Sequence, residues 1–270
     1  MGASSDTAAG RRSRDLRAVY NTIGTGYIAQ RRADPRIAQA VQDALGDVAS
    51  VVNVGAGAGS YEPPSLAVVA VEPSREMIAQ RTRSRVPIVQ ALAEHLPFPT
   101  NAFDAALAVL TVHHWSDRRT GLAELARVAR RVAIVTWDPA YRDRFWLTTE
   151  YLPEIADLDV PRFPPLSELA DCLGQTEVQT LPVPHDCVDG FLGAFWRRPE
   201  AYLDPAVRQA MSAFAQLPPG RADLGLTRLA DDLHSGRWET RFGQLREQDS
   251  IDLGYRLVVA DRGARDRKPL

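Results

Sequence analysis

The chain has 270 residues, enough for one large domain, and its 45% hydrophobic content is that of an ordinary globular core. Its 32 basic residues against 34 acidic ones leave a formal charge of −2, which gives no field for nucleic acid or an anionic membrane, and no apolar run of about 18 residues supplies a transmembrane helix. Two cysteines, Cys172 and Cys187, are too few for a disulfide framework or a cysteine-built zinc site, and are expected as packed, reduced thiols of a cytoplasmic protein.

Residues 1–14 read as a disordered polar tail, since their arginines have no apolar block behind them and resemble neither a secretory nor a twin-arginine signal. Asp6 stands where a myristoylation signal on Gly2 wants Ser or Thr. Over 15–32, Leu16, Val19, Tyr20, Ile23, Tyr27 and Ile28 fall near helical spacing and are interrupted by Gly24 and Gly26, which predicts a helix, a break and a second helix start. Asp34 then caps a helix that opens on Pro35, runs to Leu45 and stops at Gly46.

The centre of the chain is residues 50–72. A β-branched run over 50–54 passes into Gly55-Ala56-Gly57-Ala58-Gly59, and a second run over 68–71 ends on Glu72. Both read as parallel strands covered on two faces. Alternate glycines leave backbone N–H groups bare and let the main chain turn tightly beneath a ligand, and an acid ending the second strand can accept both hydroxyls of a ribose. The stretch therefore predicts a nucleoside pocket. A dinucleotide fingerprint fits less well: the third glycine comes one position early, Glu72 follows Gly55 by only 17 positions, and Glu62-Pro63-Pro64 leaves little room for a helix.

A helix is expected over 73–81 with Arg81, Arg83 and Arg85 on a solvated face, then short strands over 86–89 and 105–110. The loop after the latter, 111–117, holds His113 and His114. Ligands of an open parallel sheet sit beyond the carboxyl ends of its strands, so these histidines are the candidates for proton handling; the alternative is that one orders the loop with Trp115 and the other caps the next helix. No acid is spaced to complete a metal site with them. An amphipathic helix over 121–131 and a strand over 132–136 lead to an aromatic, proline-broken stretch with Tyr141, Phe145, Trp146, Tyr151 and Phe163, suited to covering a small apolar or aromatic molecule.

Beyond it come a helix over 166–173 capped by Ser167, a strand over 177–181 extending towards Val183, helices over 191–196, 202–217 and 224–238, and a last strand over 251–260. His185 with Asp186 or Cys187 hints at hydrolytic chemistry, but neither a serine elbow nor an oxyanion hole accompanies them. The domain reading is a single unit over 15–260 with cap insertions around 138–170 and 188–240, and a polar tail over 261–270.

Several of these stretches, taken in order, carry a resemblance. Gly-x-Gly-x-Gly, the acid Glu72 with Pro73-Ser74 and Met77, and Ala91-Leu92-Ala93-Glu94-His95-Leu96-Pro97-Phe98-Pro99 together resemble the class I S-adenosylmethionine-dependent methyltransferases, in the small-molecule group similar to quinone-biosynthesis enzymes. The resemblance implies an α/β fold: a doubly wound, seven-strand, mostly parallel Rossmann-like sheet whose last strand runs antiparallel, with a helical substrate cap. It implies S-adenosylmethionine as cofactor and in-line methyl transfer to a small-molecule acceptor, with no nucleic-acid or membrane partner. It assigns Gly55, Ala56, Gly57 and Gly59 to the amino acid part of the cofactor. Glu72, Pro73 and Met77 surround the ribose and adenine, and Ala93, Glu94 and Leu110 complete the pocket. Tyr20, Tyr27 and Arg31 belong to a segment that closes over it, and His113 or His114 serves the acceptor. Two departures stand out: Leu92 where the family has an adenine-binding Asp, and Asn53 where an acid ends the first strand. Two other readings remain open, a protein that binds S-adenosylmethionine without transferring methyl, in a binding or cyclising role, and a nicotinamide-dependent oxidoreductase.

Overall fold

The computed structural model describes residues 31–81 and 84–262. Tyr20, Tyr27 and the helices expected before Arg31 lie outside the described residues. Nine strands occur among these, β1 (Ser50–Val54), β2 (Ala67–Val71), β3 (Ile88–Val89), β4 (Phe103–Val109), β5 (Ala129–Trp137), β6 (Thr176–Thr180), β7 (Val183–Pro184), β8 (Ser250–Ile251) and β9 (Tyr255–Asp261). Seven of them form one sheet in the order β3-β2-β1-β4-β5-β9-β6, parallel except for β9, which runs antiparallel to both neighbours. The strand order reverses between β1 and β4, so their carboxyl ends open a crevice there.

The first helix, α1 (Pro35–Leu45), starts as its sequence demands: the Asp34 side chain accepts from the Arg36 backbone N–H, Pro35 needs no partner in the first turn, and Gly46 ends it at a φ of 71°. Apolar side chains cover both sheet faces, α1 lying over β5 and β9, and α3 (Arg118–Val128) over β4 and β5 on the opposite side, with α2 (Arg75–Ala79) between them in sequence. Leu122, Leu125 and Val128 of α3 are fully buried, each contributing about 1.5–3 kcal/mol.

Several boundaries differ from the sequence expectation, for local reasons. The strand expected over 86–89 shrinks to two residues because Pro87 cannot donate to the ladder, although its carbonyl still accepts from Ala70. The amphipathic helix begins earlier, where Asp117 caps it, and ends at Val128; Ala129, Arg130 and Arg131 join β5, where pairing with β4 and β9 outweighs helical periodicity. Pro165, not Ser167, occupies the N-terminal position of α5 (Leu166–Leu173). Pro182 separates β6 from β7, which pairs with β8 as a small ribbon, and Gly254 at a φ of 94° divides the expected last strand into β8 and β9. Asp261 is the end of β9 rather than tail, and accepts from Arg131 at 2.9 Å.

Between β5 and α5, a 3-10 turn (Pro139–Arg144), a π-helical turn (Leu147–Tyr151) and α4 (Pro153–Asp159) form one half of a cap. The other half comes from the chain between β7 and β8: α6 (Pro205–Gln209), α7 (Ser212–Gln216), α8 (Asp223–His234) and α9 (Arg237–Phe242), shorter pieces than the helices expected over 202–217 and 224–238. The stretch 191–196 is only a 3-10 turn (Leu192–Phe195). The halves are joined at Trp146, whose indole N–H donates to the Trp196 carbonyl at 2.8 Å and whose ring meets Tyr202 and Trp238 edge-on at 5.7 and 5.4 Å.

Candidate active site

The glycine loop leaves β1 and bends beneath the crevice. Gly55, at a φ of 69°, passes so close to Thr111 that an added Cβ would lie 2.0 Å from Thr111 Oγ1. At Gly57, φ is 52°, and among the described residues the only neighbour of an added Cβ is Met77 Cε at 3.5 Å, so this glycine borders the cleft with no described side chain packed tightly over it. Gly59 does not line the crevice. It backs onto a buried ion pair between Arg81 and Glu62 at 2.5 Å, and Arg81, expected on a solvated face, is 7% exposed because Glu62, Ser84 and the Gly57 carbonyl accept from its guanidinium.

Glu72 ends β2 within reach of this loop. Its Oε2 accepts from Gly57 N–H at 2.8 Å and its Oε1 from Ser74 N–H at 2.9 Å. Burial raises its pKa, and those two hydrogen bonds, with the nearby Arg81 charge, hold it down only in part. Each oxygen keeps a lone pair beyond the one used. Glu72, Pro73, Met77, Leu92, Ala93, Asn53 and the loop from Gly55 to Ala58 line a cleft of about 520 Å³. That is an ordinary volume for a cofactor site. Glu94 also borders the cleft, but its Oε1 accepts from Ser116 N–H, Ser116 Oγ–H and Asp117 N–H, which makes it a brace for the loop after β4.

A second cavity, of about 80 Å³, lies under the cap and is lined largely by Trp137, Phe145, Ile155, Phe163, Phe191 and Tyr255. Arg31, Leu110 and His114 border both spaces. Leu110 has a φ of 48°, uncommon outside glycine, and its N–H donates to the Val135 carbonyl, so the chain at the junction is held in a strained conformation.

His113 and His114 occupy a 3-10 turn (Val112–His114), not the cap of α3, which Asp117 supplies. Their rings are 3.7 Å apart, and His113 stacks on Phe163 at 3.8 Å. Burial, then the positive charges of nearby arginines, depress both pKa values: His113 well below its ordinary value, with His114 also adding to the effect, and His114 to about 3. Both imidazoles are therefore neutral at physiological pH. So weak a base gains little by storing a proton, and the pair is better suited to orienting a hydroxyl or amine than to carrying charge.

Arg31 is fixed by a residue that the sequence reading did not single out. Its Nε donates to Asp189 Oδ1 at 2.6 Å, while Tyr61 Oη donates to Asp189 Oδ2 at 2.9 Å and Gly190 N–H to Asp189 Oδ1 at 2.8 Å. Asp189 is fully buried. The Asp-Gly pair at 189–190 signals only a turn; nothing in one sequence says that a turn 158 residues away meets Arg31. Asp159, Tyr255 and Thr111 were missed in the same way. By contrast, the pairings weighed for hydrolysis are engaged elsewhere: His185 Nδ1 lies 4.0 Å from Asp186 but bonds the Asp249 carbonyl at 3.1 Å, Asp186 accepts from exposed Arg36 at 2.7 Å, and burial pushes the Cys187 thiol up to about 12. Both cysteines are free. Among the described residues, no three metal-ligating side chains gather, and no helix is long and apolar enough to cross a membrane.

A doubly wound sheet with a glycine loop and a strand-end carboxylate at its switch point defines a nucleoside-binding Rossmann-like protein. Comparison with known proteins narrows this. Residues 52–135 match the methyltransferase domain family. A solved structure described as a methyltransferase from an antibiotic biosynthesis pathway of Anabaena variabilis is 32% identical, with a TM-score of 0.79 over 86% of this chain and 98% of that one. The chain belongs to the class I S-adenosylmethionine-dependent methyltransferases. The uncharacterised methyltransferase YcgJ of Bacillus subtilis is 31% identical over 120 residues, 40% of this chain and 44% of that protein. This chain spans about half the length, or less, of the curated relatives it matches. The [4+2]-cyclase SpnF shares the fold at 16% identity, with a TM-score of 0.52 over 95% of this chain and 97% of its own. Family membership sets aside the nicotinamide oxidoreductase alternative.

Proposed function

We propose that this protein transfers a methyl group from S-adenosylmethionine to a small molecule held in the cavity under the cap. The observation that carries the reading is the meeting of a cleft of about 520 Å³ with an aromatic cavity at Arg31, Leu110 and His114. The cleft's residues suit the cofactor: Gly57 leaves the loop bare of side chains, Glu72 has acceptor capacity for two ribose hydroxyls, and Met77 and Leu92 offer apolar contact to adenine. Leu92 provides no carboxylate for the adenine amino group, which leaves the backbone about Ala93 to meet the ring edge. Ala56 and Ala58 line the remaining cleft, where the amino acid part fits.

S-adenosylmethionine, when bound, supplies an electrophilic methyl carbon on a cationic sulfur. The protein's own work is positional. Holding the acceptor atom in line at the junction converts an encounter into a near-unimolecular step, an effect on the order of 7–11 kcal/mol when alignment is good. The neutral histidines accept a hydrogen bond from the acceptor's proton-bearing atom and orient it, and Arg31, held by Asp189, shapes the junction; as the methyl moves, positive charge passes from the sulfur to that atom, whose proton leaves to solvent when the product departs from the cap. A small and mostly apolar cavity supports a small-molecule acceptor over a nucleic acid, and two free cysteines fit a cytoplasmic site of action.

A second reading, binding without transfer, is favoured by Leu92 in the cleft wall. Calorimetry with S-adenosylhomocysteine and a coupled assay for its production from S-adenosylmethionine over an acceptor panel test both. Binding with turnover supports transfer, binding with none across the panel supports the second reading, and no binding removes both.

A further inference from the structure

Asp159 is the last residue of α4 and lies in the wall of the cavity under the cap, with Trp137, Phe145, Phe163 and Tyr255. It is a costly residue for such a place. No donor among the described residues hydrogen-bonds its carboxylate, and the opposing charge of Arg162 acts on it without a direct contact. The backbone adds to the cost. The Asp159 carbonyl already accepts from Arg162 and Phe163 N–H groups at 2.9 and 3.0 Å, and the C-terminal end of a helix repels negative charge. Burial pushes its pKa up to about 6. A carboxylate with no hydrogen-bond partner among the described residues, in the wall of an aromatic cavity, has the chemistry of a ligand anchor.

Arg31, Leu110 and His114, in the lining of the same cavity, also border the cofactor cleft, so the reacting atom of an acceptor belongs beside them. Resting on the methyl-transfer reading, the geometry points to Asp159 as the acceptor-selecting residue: it takes a hydrogen bond from an ammonium or hydroxyl group on a small aromatic acceptor whose reacting atom lies at His114. A carboxylate or phosphate at that position of the acceptor is repelled, and an ether or methyl leaves Asp159 without a partner.

Four one-ring probes test the assignment: benzylamine, phenol, anisole and benzoate. Each is titrated by ligand-observed NMR into the protein saturated with S-adenosylhomocysteine, and into the Asp159→Asn variant. The wild type is expected to bind benzylamine about tenfold or more tighter than benzoate, and phenol severalfold tighter than anisole. In Asp159→Asn, benzylamine and benzoate should bind within about twofold of one another, with calorimetric affinity for S-adenosylhomocysteine unchanged. Equal binding of all four probes, binding of none, or the same ranking in Asp159→Asn overturns the assignment. If the wild type fails to bind S-adenosylhomocysteine, the cofactor reading falls instead, and the same ranking measured on the cofactor-free protein still decides the role of Asp159.

Discussion

Replacing Glu72 by Gln tests the cofactor cleft at its most informative atom pair. The carboxylate accepts one backbone N–H on each oxygen, from Gly57 at 2.8 Å and Ser74 at 2.9 Å. Gln preserves the shape but offers a single acceptor oxygen, so its amide NH₂ must face one of those N–H groups. A buried N–H left without a partner costs about 1–3 kcal/mol. Part of that is offset, because the carboxylate is itself destabilised by burial and Gln removes the charge. The net loss of folding stability should stay below about 2 kcal/mol. The effect on binding is larger. Two ribose hydroxyls meeting a charged acceptor become at most one meeting a neutral one, a loss of about 1.5–3 kcal/mol or roughly 10–150-fold in affinity. Calorimetry with S-adenosylhomocysteine near neutral pH reads the affinity, and thermal unfolding of the same sample shows that the variant is folded. A folded variant binding within about threefold of wild type would refute the assignment of Glu72 to the ribose. The raised pKa adds a pH signature: affinity should decline on acidification at a higher pH than an ordinary glutamate would dictate, as the carboxylate protonates and loses its charge. The Gln variant should lack that decline.

Gly57→Ala isolates the space above the loop. Among the described residues its methyl meets only Met77 Cε at 3.5 Å, so stability should fall by no more than about 1–2 kcal/mol for the left-handed φ, while S-adenosylhomocysteine binding weakens more than that; equal losses in melting and calorimetry would count against the cleft geometry. Asp189→Asn strands the Arg31 guanidinium beside a fully buried amide and should cost about 3 kcal/mol in urea unfolding, with weakened cofactor binding; a loss under about 1 kcal/mol would mean the Arg31–Asp189–Tyr61 cluster is not what ties these segments together. Asp159→Asn should stabilise. A folded pKa of about 6, above the unfolded value of 3.8, means the ionised carboxylate opposes folding at neutral pH, so the gain is at most about 3 kcal/mol above pH 6 and vanishes as pH falls below the unfolded value. Arg162, Tyr255, His113, His114 and Arg31 are the other ionisable groups about this cavity among the described residues. Chemical denaturation on both sides of that window checks the sign, and a loss of stability at neutral pH would contradict it.

Much of the sheet was legible because strands covered on both faces announce themselves as β-branched runs, and because Asp34, Pro35 and Gly46 specify the ends of α1 through local hydrogen bonding. The cofactor cleft was legible for the same reason: its parts from Gly55 to Ala93 follow one another within about 40 residues, each tied to a strand end. Boundaries failed where a neighbour in space decided. Ala129 to Arg131 continue a helical pattern, yet two adjacent strands draw them into β5. Arg81 reads as surface, yet Glu62 meets it beneath the loop.

The strands at the centre, the glycine turn and the acid that answers it were determined by the sequence alone, since each depends on residues within about twenty positions of one another. Only the tertiary structure decided that Asp189 holds Arg31, that the two histidines are packed too deeply to stay charged, and that Asp159 lines an aromatic cavity with no hydrogen-bond partner among the described residues. The physical reason is range. Backbone turns and strand patterns are local, whereas burial, ion pairing and cavity shape come from segments that are up to 158 residues apart along the chain and meet only when it folds.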